Sequence, residues 1–246
     1  MQQWDVTRGS LVLALASISF VRPAAAQSAH PDFAGIWNSA TATPVERPAQ
    51  LKGKEFFTRE EAAQWERQVA AQNVDPPPEA ASRSIGTYNV AFREFGAKVV
   101  KTLRTSIVTD PSDGQIPALT PAAAAEKRRR QDYLRHPRGA TDLGLQDQCL
   151  VFPTAVPPMI PYSYNSNYQI LQTGHELIIH VEMIHDTRII PLDGRAHLPS
   201  NVRLWLGDSV GHWEGRTLVV DTANFNDAGG FYGDAGGMFG SDRNLH

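Results

Sequence analysis

The segment His175–Arg195, HELIIHVEMIHDTRIIPLDGR, constrains the fold of this chain more than any other. Successive side chains of a β-strand point to opposite faces. Counted as one strand, Leu177, Ile179, Val181 and Met183 share an apolar face, and His185 ends it. The opposite face carries His180, Glu182, Asp186 and Arg188, with Ile178 and Ile184 among them. Such alternation suits a sheet buried on one side, whose polar side meets either water or the lining of a pocket.

The rest of the chain fits a mainly β protein with early helices. Phe33–Trp37 predicts a first strand, and Thr105–Thr109 another. Thr58 with Glu61 three residues on is a capping box, which predicts a helix from Arg59 to about Ala71. Thr120-Pro121 opens a second helix to about Arg135, with proline at its first position. Its Lys127-Arg128-Arg129-Arg130 run reads as a solvated face. Asp110–Gly114 is a turn by composition. Later come strand patterns at Tyr168–Thr173, Glu176–Ile190, Asn201–Leu206 and Thr217–Phe225, with a tight turn at Glu214-Gly215. Helices early and hairpins late argue against alternating βα units and for an antiparallel sheet.

Leu11–Val21 is an apolar run followed by Ala24-Ala25-Ala26, the pattern of an export signal cleaved near Ala26. The run is too short to span a bilayer as a helix. The expected product is periplasmic or secreted, a single β-rich domain from residue 27 to 246 with helical and Pro-rich decoration at about 44–164. Cys149 is the single cysteine, so no internal disulfide forms. A net charge of −3 supplies no basic field for a phosphate backbone, which excludes nucleic acid as the expected partner.

Three constellations carry chemistry. Glu182 or Asp186, with His180 or His185, could act as acid and base, and Arg188 could hold an oxyanion. His175, His180, Glu182, His185, Asp186 and His197 include metal-ligand types, but no HExxH or clustered HxH appears, so no metal and no other cofactor is expected. Gly207–Gly211 fits G-x-S-x-G, yet a strand pattern follows where a hydrolase needs a helix, so Asp208 and Ser209 read as a turn. The candidate ligand contacts are Arg188 with Tyr168, Met183, Trp205 and Trp213.

DFAGIW, RTSIVTDPSDGQIPALTP, YNSNYQILQT, EMIHDTRIIPLDGRAHLP and WLGDSVGHWEGRTLVVDTANF resemble a family of exported bacterial proteins of unassigned function. Gly35-Ile36-Trp37 on a first strand is similar to lipocalin-like proteins, where a first-strand tryptophan closes one end of a barrel. The resemblance implies an antiparallel barrel, or a strongly curved sheet, with two peripheral helices. It implies a small apolar or amphipathic ligand, with a cofactor-free lyase, isomerase or hydrolase as the alternative. The family continues past the point matching His246, so a chain short of its last strands is expected.

Overall fold

A computed structural model describes residues 30–75, 90, 93, 96–156, 159–226, 231–232 and 239–240. The N-terminal run that the sequence reads as an export signal and most of the Gly-rich stretch after Asn226 lie outside them. The described residues form a mainly β protein with antiparallel sheets and two helices.

Strands β1 (Gly35–Asn38), β2 (Asn167–Gln172), β3 (Glu176–Val181) and β4 (Thr187–Pro191) form one antiparallel sheet in that order. β5 (Asp208–Glu214) and β6 (Thr217–Ala223) make a separate hairpin, and β7 (Phe231–Tyr232) pairs with β8 (Phe239–Gly240). Glu214 pairs with Thr217 across the two-residue loop Gly215-Arg216. Gly215 has φ of +62°, the left-handed angle a tight hairpin turn demands of its first central residue. Among the described residues the four-stranded sheet is open, with β1 and β4 as its edges, so these strands close no barrel.

The expected single strand over Glu176–Ile190 is two. Residues 182–186 reverse the chain, and Ile184 and His185 both have φ of +62°. Val181 N donates to the Asp186 carbonyl, so the loop between them has four residues and its last two take left-handed angles. The reversal inverts the parity count beyond it. Ile179 pairs with Arg188 and His180 pairs with Thr187. Arg188 therefore shares the buried face with Leu177, Ile179, Val181 and Ile190, and His180 lies on the other. The predicted set of four polar groups on one face does not form.

Two other expected strands are absent. Thr105–Thr109 makes only the neighbouring Phe56–Arg104 bridge, and the run 201–206 makes only the Leu204–Phe225 bridge. Thr105 is fully buried, but its hydroxyl is spent on the Lys54 carbonyl and on accepting from Arg47 Nε. The backbone amides of Thr105, Ile107 and Val108 donate to the carbonyls of Glu55, Pro44 and Val45, so the segment is held by two different loops rather than by one strand partner.

Helix α1 (Arg59–Gln72) starts at the predicted capping box: Thr58 Oγ1 accepts from Glu61 N, and Glu61 Oε2 accepts from Thr58 N. It packs Ala62, Trp65 and Val69 on Ala42, Phe57 and Val99, giving this region a small core of its own. Helix α2 (Pro121–Arg135) covers the predicted span. Among the described residues no helix is long and apolar enough to cross a membrane.

Two further clusters lie under the sheets. Leu145, Val151, Val156 and Phe225 form one; Ala155, Tyr168 and Val181 form the other. Leu206 packs against both, and so joins the hairpin region to the four-stranded sheet. Gly211 lets β5 approach β4, because a Cβ there would stand 2.9 Å from Ile190 Cγ2 and 2.8 Å from Leu192 Cδ2.

Candidate functional site: a cleft beside strand β4

The free edge of β4 and the segment 204–209 leave a cleft of about 330 Å³ between them. Ile189, Leu204, Trp205 and Leu206 give it apolar walls, and Arg188, Asp208 and Ser209 give it polar ones. Gly207 makes the bend before β5, with φ of +68°. A Cβ there would stand 2.7 Å from the Ala223 carbonyl oxygen. The glycines of the G-x-S-x-G match thus serve backbone approach. Asp208 and Ser209 open a strand rather than the expected turn, and both are buried.

Arg188 is the unusual member. It is 5% exposed. Its Nη1 donates to the Leu206 carbonyl at 2.9 Å and to Ser209 Oγ at 2.7 Å, and its Nη2 donates to the Ala155 carbonyl at 2.6 Å. Nε is buried with no acceptor. A guanidinium has five N–H donors and no acceptor of its own. All three of its acceptors here are neutral, and among the described residues no carboxylate reaches ion-pair distance of it. Burial drags its pKa down to about 10, and the charge of Asp186 pulls the other way. Arg188 thus stays cationic at neutral pH. Asp186 Oδ2 is buried without a partner; burial raises the pKa of this carboxyl and the Arg188 charge lowers it.

A second polar cluster flanks the cleft. Arg195 Nη2 donates to Asp208 Oδ1 at 2.6 Å, and Leu198 N donates to Asp208 Oδ2 at 2.9 Å. His197 bridges two carboxylates, with Nδ1 at 2.9 Å from Asp208 Oδ2 and Nε2 at 3.1 Å from Asp221 Oδ2. Hydrogen bonding to Arg195 holds the Asp208 carboxyl down at about 2. Burial alone would lower the His197 pKa, but Asp221 and Asp208 together raise it. Ser209 Oγ accepts from Arg188 and lies 3.0 Å from Thr222 Oγ1, so its hydroxyl is engaged away from any histidine.

Of the residues expected in a site, Arg188 and Trp205 meet at this cleft. The others disperse. Glu182 is exposed and accepts from Asn167 Nδ2 at 2.8 Å. His180 Nδ1 lies 2.9 Å from Thr187 Oγ1 on the outer face, 6.3 Å by ring centroid from His185, which is exposed in the turn. Tyr168 is buried and donates to the Thr154 carbonyl at 2.9 Å; burial pushes its phenol up. Met183 packs against the Tyr168 cluster. Trp213 stacks with His30 at 4.4 Å and with Phe33 at 5.9 Å, in contacts that tie the start of the described chain to the β5–β6 hairpin.

Sequence reasoning missed Ile189, Leu204, Leu206, Asp208 and Ser209 as cleft walls, Arg195 as the partner of Asp208, and Asp208 and Asp221 as the partners of His197. The local signal was the pair of glycines flanking Asp208 and Ser209, which marked close backbone approach. Among the described residues no group of three or more His, Cys, Asp or Glu side chains is placed to hold a metal ion. No family model, no curated protein and no solved structure matches this chain.

Proposed function

We propose that this is an exported binding protein that holds one small amphipathic molecule in the cleft between β4 and residues 204–209. The observation that carries the reading is the composition of that cleft. About 330 Å³ of space combines an apolar wall of Ile189, Leu204, Trp205 and Leu206 with the buried polar groups of Arg188 and Ser209. Ligand sites of small proteins have this character: a mainly apolar concavity of about 300 Å³ or more, with a few polar groups that fix orientation.

Acid–base catalysis by Glu182, His185, Asp186 and His180 has less geometric support. Glu182 and His185 lie on the surface, and His180 lies on the sheet face opposite Arg188.

Native mass spectrometry of protein gently isolated from the periplasm or medium of its producing cell tests the reading. The expected result is an adduct of one small molecule on a chain beginning near Gln27, lost in Trp205→Ala. A clean unliganded mass, or an adduct that Trp205→Ala retains, counts against the cleft.

A further inference from the structure

Arg188 sets the charge of what the cleft accepts. A buried cation ordinarily needs a carboxylate partner, because neutral acceptors return only part of the lost hydration. Here the guanidinium is held by the Leu206 and Ala155 carbonyls and by the Ser209 hydroxyl. Three contacts against five donors leave donor capacity unspent, and buried Nε is part of it.

The acids nearby do not discharge it. Asp208 shares the cleft wall, but its carboxylate is consumed by Arg195, His197 and the Leu198 amide. Asp186, two residues before Arg188, acts on the guanidinium through space without reaching ion-pair distance. The cleft thus has an apolar wall and a cationic floor, and a buried charge lining a concave surface attracts a nearby anion.

Resting on the binding reading above, we infer that the ligand is an anion carrying one negative charge, a small monocarboxylate with a short apolar body. Its hydrocarbon part would lie against Ile189, Leu204 and Trp205, with the carboxylate toward Arg188. A single charge matches one guanidinium. A dianion would bring a second charge that no other cation lining the cleft balances. Nε is screened from solvent in this state, so the attraction acts first through the cleft floor rather than through a ready hydrogen bond.

Isothermal titration with sodium hexanoate and its neutral analogue 1-hexanol separates this inference from the binding reading. Hexanoate is expected to bind roughly tenfold or more tightly than hexanol, with a preference that falls as salt is added. Arg188→Gln should abolish the preference. Asp186→Asn, which leaves every hydrogen-bond acceptor of Arg188 unchanged and removes the opposing charge that acts on it, should increase it severalfold. Equal affinities for the two probes, or a preference that neither substitution moves, overturns the anion inference and leaves the cleft as a site for neutral molecules. Binding of neither probe overturns the inference together with the cleft reading.

Discussion

Asp208 is the most heavily engaged acid among the described residues. Its two oxygens take contacts from both terminal nitrogens of Arg195, from the His197 ring and from a backbone amide. These contacts tie loop residues 195–198 to the first residue of β5, and they depend on two protons. His197 has its pKa raised above 6.5, so its contribution to stability is full below 6.5 and is lost as pH rises through the raised folded-state value. Asp208 is depressed from 3.8 to about 2, so its contribution is present above 3.8 and is lost as pH falls toward about 2. The clamp is strongest between those limits. In urea unfolding, the stability difference between the native chain and His197→Gln should be larger at about pH 5 than at about pH 9. A difference that stays constant across that interval would show that His197 acts without its proton.

At the level of elements, what depends on a few adjacent residues was legible and what depends on tertiary placement was not. The α1 start is a contract between Thr58 and Glu61, read directly from their spacing and present in both of its hydrogen bonds. Thr58→Ala should cost about 1 kcal/mol, read as a lowered urea midpoint with an unchanged slope. The β3–β4 turn obeys no such local rule. Tight turns with two positive φ values usually announce themselves with Asn-Gly or Asp-Gly, whereas here Ile184 and His185 take those angles. A β-branched residue at positive φ is strained, and only the pairing of β3 with β4 and the packing of Met183 can hold it there. An apolar-polar alternation that runs straight through the turn conceals it. The cleft was hidden for a related reason. Its walls come from residues 187–189 and 204–209, which share no periodicity and meet only after the hairpin docks on the sheet.

That docking sets the architecture of the whole molecule. β4 and β5 touch without forming a ladder, so side-chain packing and the Arg188 hydrogen bonds to Ser209 and Leu206 hold hairpin to sheet. Gly211 sits at the closest approach, and Leu206 bridges the two clusters beneath. Gly211→Ala should therefore cost roughly 1–3 kcal/mol by overpacking Ile190 and Leu192. The same change should weaken hexanoate binding, because it tilts one cleft wall away from β4. Loss of stability with intact binding would mean that the cleft is shaped by residues 204–207 alone.

The first strand waits for its partner. Asn38 and Asn167 meet side chain to side chain across 129 positions, and Phe33 N reaches Gln172 across 139. At roughly 5–20 residues per second, a ribosome needs on the order of ten seconds to deliver β2 after β1 has emerged. Through that interval Ile36 and Trp37 have no ladder to join. An escort that keeps early segments from pairing wrongly would act on this stretch of chain first.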